Sequence, residues 1–154
     1  QEEGAQVVSV GSDTQAHAGK GGLTVRADVL AADVSADEFD GLVIPGGWAP
    51  DKMRRDPAIV SLVSEMNAAG KPIGIICHGG SVAISAGIVA GRRVTGSLGI
   101  KDDLVNAGGI WVDQPALRDG NQVWGRVVAD IPDFQRELIA AAVDAAQQRQ
   151  QERS

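Results

Sequence analysis

Residues 73–80 read Ile-Gly-Ile-Ile-Cys-His-Gly-Gly, an apolar run that stops abruptly at a thiol, an imidazole and two glycines. A short continuous apolar run suits a strand buried on both faces. The small residues that follow suit a tight corner into a helix. A strand, one nucleophilic residue and a helix start is the layout of a nucleophile elbow. Cys77 would then point away from the sheet at a strand's carboxyl end, where open parallel sheets bind ligands. A helix N-terminus behind it would favour the thiolate. The other reading is a lone cysteine acting as a small core hydrophobe. An adjacent His78 does not decide between them, because neighbouring side chains on a sharp turn need not face one another.

The rest of the chain alternates strands and helices. Strands are expected at Gln6–Val10, Leu23–Val29, Gly41–Ile44, Ile73–Ile76, Val94-Thr95, Ile110–Val112 and Val123–Val128. A loop or hairpin fills 14–22, a polar turn 35–40, and a turn at Asp119-Gly120-Asn121 joins the last two strands. Helices are expected at 56–69, where Ile59, Leu62, Val63 and Met66 recur at helical spacing, at Gly79–Val89, at Ile100–Ala107 and at Pro132–Gln148. Residues 1–148 form one domain and 149–154 a polar tail that frays. With strands that are apolar rather than alternating, the pattern is α/β, with a mainly parallel sheet between helical layers.

Charge and composition exclude several classes. The chain has 154 residues, a formal net charge of −6 and one cysteine. An acidic surface repels phosphate backbones, which argues against nucleic-acid binding. The basic groups Lys52/Arg54/Arg55 and Arg92/Arg93 read as solvated charges or small anion sites. One cysteine forms no internal disulfide and no thiolate metal cluster, and His17 and His78 lie far apart, so no metal is expected. No apolar run is long enough to cross a membrane.

A second strand end carries chemistry. Gly41–Ile44 stops at Pro45-Gly46-Gly47-Trp48. Gly46 and Gly47 let backbone N–H groups approach a substrate and act in an oxyanion hole. Trp48 either walls a pocket or lies at a subunit interface. Trp111 and Trp124 read as packing residues, and His17 as a loop residue.

Together these segments resemble the PfpI family of intracellular cysteine peptidases and glyoxalase/deglycase-type proteins, part of the class I glutamine amidotransferase-like superfamily. The resemblance is carried by IICHGGSVAISAGIVAGRRVTG at 75–96, DEFDGLVIPGGWAPDKMRRD at 37–56, IKDDLVNAGGIWVD at 100–113, DGNQVWGR at 119–126 and DIPDF at 130–134. It implies a flavodoxin-like three-layer α/β sandwich. It implies Cys77 as nucleophile, with His78 as its adjacent histidine. The His78 N–H and Gly46 or Gly47 would form the oxyanion hole, and Gly79 the corner. Asp51 matches the acidic position that reaches the histidine of a neighbouring subunit, although Asp is a methylene shorter than the usual Glu. The other reading of Asp51 is a charge at a helix start.

Two departures stand out. Gly80 replaces the family's usual proline after Cys-His-Gly, a change a helix start tolerates. The family also begins with a strand and helix, roughly 25 residues, ahead of the segment that opens this chain. That unit carries a Glu bonded to the nucleophile, and without it the domain is N-terminally incomplete, with exposed sheet edges. The resemblance further implies a homo-oligomer, dimer or hexamer, with the active site near the interface, and a cytoplasmic location. The substrate would be a small aldehyde or a peptide, with no cofactor. The alternative function is a stress-response redox sensor or chaperone-like protein built on an oxidisable Cys77.

Overall fold

The computed structural model describes residues 1–154. In chain order it forms β1 (Val10–Gly11), β2 (Ala16–Ala18), β3 (Thr24–Arg26), β4 (Val29–Leu30), β5 (Leu42–Ile44), α1 (Ala49–Met53), α2 (Pro57–Ala68) and β6 (Ile73–Ile76). It continues with α3 (Gly80–Ser85), β7 (Arg93–Val94), α4 (Lys101–Asn106), β8 (Ile110–Trp111), β9 (Ala116–Asp119), β10 (Gln122–Gly125) and α5 (Ile131–Glu152).

The central sheet has the order β5-β6-β10-β9, parallel except for the antiparallel β9–β10 hairpin. Alternation along β6 and β10 separates two faces. Ile73, Ile75 and Trp124 join the large cluster with Ile59, Leu62, Val63 and Met66 of α2, Val82 of α3 and Leu104 of α4. Ile76 and Val123 face the other way, against Phe134, Leu138 and Ala141 of α5. Gly74 and Gly125 let α5 sit close, since a Cβ at either would meet the Phe134 ring within 3 Å (2.8 and 2.9 Å). This is the expected three-layer α/β sandwich. Each fully buried aliphatic chain contributes about 1.5–3 kcal/mol, and Met66, Ile73, Val82 and Leu104 are all fully buried.

One polar cluster crosses the first face. Gln122 Nε2 donates to Asn67 Oδ1 and to the Ile88 carbonyl, both at 2.9 Å, while its Oε1 accepts from Trp124 Nε1 at 3.2 Å. Every polar atom of that buried amide is thereby partnered, which avoids the cost of an unmade bond. Helix α2 begins at Asp56, whose carboxylate accepts from Ala58 N at 2.9 Å, with Pro57 following.

Several elements depart from expectation. Of the strand expected at Gln6–Val10 only Val10 is paired, and Val7 and Val8 stay exposed. The run Leu23–Val29 splits at Ala27-Asp28. Thr24–Arg26 pairs back on Ala16–Ala18 as a hairpin, and Val29–Leu30 pairs with β1. Asp28 makes the break, because its carboxylate accepts from Ser9 N at 2.8 Å and its own N–H donates to Ser9 O at 2.8 Å. The antiparallel partner of β10 is Ala116–Asp119, while Ile110–Trp111 pairs with β7. Helix α3 is six residues long and is preceded by a 3₁₀ turn, Cys77–Gly79. Helix α5 runs on to Glu152, and Arg149 pairs with Asp40 at 3.2 Å. Strand β5 is a sheet edge, with Val43 52% exposed. No helix is long and apolar enough to cross a membrane.

Candidate active site

The parallel strands β5 and β6 end side by side, so their carboxyl-terminal loops meet. Cys77 follows β6 directly and has φ +58°, the one non-glycine residue with positive φ. That conformation costs an L-residue about 1–2 kcal/mol. It turns the side chain out of the strand direction, as an elbow requires.

Neighbouring glycines make room for the corner. A Cβ on Gly46 would fall 2.7 Å from Cys77 Cβ, 3.2 Å from its Sγ and 3.3 Å from His78 N. The Gly46 backbone therefore lies against the thiol and the His78 N–H. Gly47 has φ +74°, which lets the loop turn away directly afterwards. A Cβ on Gly79 would meet the Ile44 carbonyl at 2.7 Å and the Pro45 carbonyl at 3.0 Å. The elbow is thus seated on the end of β5.

Gly80, expected to be a neutral replacement, has a packing reason. A Cβ there would sit 2.9 Å from Ile100 Cδ1, 3.1 Å from Leu104 Cδ2 and 3.3 Å from the Trp124 ring.

His78 does face the thiol, with Cys77 Sγ 3.4 Å from His78 Nδ1. Its Nε2 makes no hydrogen bond within the chain and looks toward Gly99, whose Cβ position is 3.3 Å away. On another side the imidazole meets Trp48, with centroids 6.4 Å apart and planes tilted by 31°. The ring is held between the loop after β5 and the loop after β7.

Asp51 does not join this group within one chain. It lies in α1, three-quarters exposed, and accepts from Arg55 Nη2 at 3.2 Å, while Arg55 Nε donates to the Asp51 carbonyl at 3.0 Å. Its carboxylate is open to solvent on the same loop-helix unit that carries Trp48.

The 95–99 loop was not singled out from sequence. Ser97 N donates to the Cys77 carbonyl at 3.2 Å, and a Cβ on Gly96 would approach that carbonyl to 3.0 Å. Nothing in the local pattern marks these residues, since only the chain path brings the end of β7 beside the elbow. Near them, Thr95 is buried and its Oγ1 has no partner. Farther round the same sheet end, Arg126 follows β10 and donates to Asp130 at 2.9 and 3.2 Å and to Asp113 at 2.9 Å. The Arg126 guanidinium holds the Asp130 carboxyl below the usual carboxylate range. No group of three or more His, Cys, Asp or Glu side chains is arranged to hold a metal ion.

A sandwich with an elbow cysteine, an adjacent histidine and a Pro-Gly-Gly strand end defines a thiol-bearing α/β class, and comparison with known proteins gives the family. The DJ-1/PfpI family model matches residues 1–141, and this chain belongs to that family. It is 44% identical over 138 residues to a deglycase of Pyrococcus abyssi, covering 90% of this chain and 83% of that protein. Deglycase PfpI of Pyrococcus furiosus is 40% identical with the same coverage. Protein/nucleic acid deglycase 2 of Escherichia coli is 38% identical over 121 residues, covering 78% of this chain and 70% of that one. These relatives put the chain in the PfpI class of enzymes. Among solved structures, a two-domain protein of Anabaena variabilis with DJ-1/ThiJ/PfpI-like and ferritin-like domains superposes with TM-score 0.88 at 38% identity. The match covers 90% of this chain and 40% of that longer one. A Schizosaccharomyces pombe DJ-1 variant, at 20% identity and TM-score 0.75 over 92% of this chain and 82% of its own, shares the fold.

Proposed function

We propose that this chain is a cysteine-nucleophile enzyme that acts on 2-oxoaldehydes and their adducts through a Cys77 thiolate. The observation that carries the reading is the Cys77 elbow, at φ +58° with Sγ 3.4 Å from His78 Nδ1 and hard against the Gly46 backbone. The deglycase names of relatives at 40–44% identity favour aldehyde chemistry over peptide hydrolysis.

His78 takes the thiol proton as Cys77 Sγ adds to the aldehyde carbon, forming a hemithioacetal. The developing oxyanion is met by the His78 N–H and the Gly46–Gly47 backbone. His78 returns the thiol proton to that oxyanion, then carries the proton from C1 to C2 while the hydroxyl proton passes from O1 to O2, which converts the hemithioacetal to a thioester of the 2-hydroxy acid. Water hydrolyses the thioester, releases the acid and returns the thiol. The sum is one aldehyde plus one water, with no external oxidant or reductant. An amide carbonyl would use the same thiol and oxyanion hole to form an acyl-enzyme, which is the peptidase alternative.

In this reading Asp51 completes the site in trans. His78 Nε2 lacks a partner in its own chain and the Asp51 carboxylate is exposed, so a neighbouring subunit's Asp51 would orient the imidazole in a dimer or hexamer in the cytoplasm. Methylglyoxal turnover to lactate is the assay. Cys77→Ser should lose it by at least about 10³-fold, the scale of a removed nucleophile. Asp51→Asn should lower kcat and shift the pH profile. Unchanged turnover in Cys77→Ser would overturn the reading. A fully active monomer would remove the trans role of Asp51.

A second reading has its own observation. Cys77 is partly exposed, so peroxide can reach it. Redox sensing would then be the function, in a stress-response setting. Sulfinic acid formation with no aldehyde turnover would favour it.

A further inference from the structure

Two large apolar side chains lie on the loops that border His78 and are uncovered in the single chain. Trp48 is 89% exposed and Leu98 75% exposed. Large apolar groups grouped on a surface mark places where something binds, and a tryptophan this exposed is rare. Trp48 meets the imidazole directly, at 6.4 Å between centroids. Leu98 lies between Ser97, whose N–H holds the Cys77 carbonyl, and Gly99, which faces His78 Nε2. A group bound to Cys77 Sγ thus has the imidazole, the indole of Trp48 and the Ser97–Gly99 turn around it.

Apart from the imidazole, the side chains of the same rim carry no ionisable group. Its residues are Gly46, Trp48, Ser97, Leu98 and Gly99. The arginines of the neighbouring α1 segment are engaged, Arg54 Nε with Ser85 Oγ at 2.9 Å and Arg55 with Asp51. A substrate carboxylate would find no guanidinium waiting, on a chain of net charge −6.

We infer that Trp48 and Leu98 are specificity-determining residues, which receive the substituent on C2 of the aldehyde and select uncharged aryl or branched alkyl 2-oxoaldehydes. This rests on the proposed addition of Cys77 to aldehydes and goes beyond it by naming the substrate side chain. An aryl ring lies offset or edge-on against the indole, the arrangement that aromatic pairs prefer.

The experiment measures kcat/KM for phenylglyoxal, methylglyoxal and the anionic 4-carboxyphenylglyoxal, with light scattering for the oligomer size. The wild-type protein should rank them in that order. Trp48→Ala should lower the phenylglyoxal-to-methylglyoxal ratio about fivefold, within the range of one aromatic contact. Trp48→Phe should keep most of the ratio, and Leu98→Ala should lower it about twofold, the effect of a partly buried alkyl contact. Equal losses for both substrates in Trp48→Ala would overturn the inference while leaving the thiol chemistry in place. So would a dissociated oligomer with an unchanged ratio, which would assign this rim to a second copy of the chain. Turnover that survives in Cys77→Ser, or no turnover of any of the three by the wild-type protein, would remove both readings together.

Discussion

Gly46 and Cys77 sit so close that a Cβ on the first would lie 2.7 Å from the Cβ of the second, below any real contact distance. The two residues follow the carboxyl ends of neighbouring parallel strands, β5 and β6. Gly46→Ala must push the elbow or the Pro45–Gly47 loop aside. Kinetic loss should be about 10²- to 10³-fold, as for a displaced oxyanion donor. Stability should fall by about 1–3 kcal/mol, as in other overpacked sites. Paired kinetics and thermal melts check this, and a variant with wild-type kcat would mean that the loop does not serve the oxyanion.

Cys77 holds positive φ at a cost that its chemistry must justify. Cys77→Gly and Cys77→Ala should both be inactive, yet the glycine variant should be the more stable by about 1 kcal/mol, because glycine accepts φ +58° without strain. Urea denaturation of the pair reads the difference. An alanine variant as stable as the glycine one would mean that the elbow stores no strain.

Asp130 is 8% exposed and ion-paired to Arg126, which lowers its carboxyl pKa in the folded state. Because the folded value lies below the unfolded one of about 3.9, the pair's contribution is present above that pH. It is lost as pH falls through the depressed folded value. Asp130→Asn should therefore cost about 1–2 kcal/mol near neutrality, with the gap from wild type closing in strong acid. A gap independent of pH would show that the charge is not what matters there.

Thr95 is 1% exposed and its Oγ1 has no hydrogen-bond partner. Thr95→Val keeps the branched shape and removes the unpaired hydroxyl. The variant should gain about 1 kcal/mol, seen as a melting temperature higher by about 2–4 °C for a domain of this size. A lower melting temperature would show that the hydroxyl has a partner in solution.

Helix α2 was legible because four apolar residues, Ile59, Leu62, Val63 and Met66, recur at helical spacing. Strand β6 was legible because an unbroken apolar run between Pro72 and Cys77 has no other stable use. The N-terminal strands were misjudged because β-propensity does not choose a partner. Val7 and Val8 find none, and Asp28 breaks the Leu23–Val29 run by bonding to Ser9. The partner of β10 was misassigned for the same reason, since Ala116–Asp119 looks no more strand-like than Ile110–Trp111. The site divides likewise. Cys77, His78, Gly46 and Gly47 could be named from two short motifs, whereas the 95–99 loop could not.

From sequence alone came a thiol at the end of a buried strand, small residues for a tight corner, and a second glycine-bearing strand end. These follow from local rules, namely hydrophobic runs, turn residues and charge balance. Tertiary structure alone decided that the imidazole faces the sulfur rather than turning away, and that Gly46 rather than some other backbone lies against it. It also decided that Asp51 is exposed, that Ser97 bonds the Cys77 carbonyl and that Gly99 lies beside the far nitrogen of His78. Those relations depend on which strands are neighbours and on the φ of a single residue, and parallel pairing between distant segments leaves no local trace in the chain.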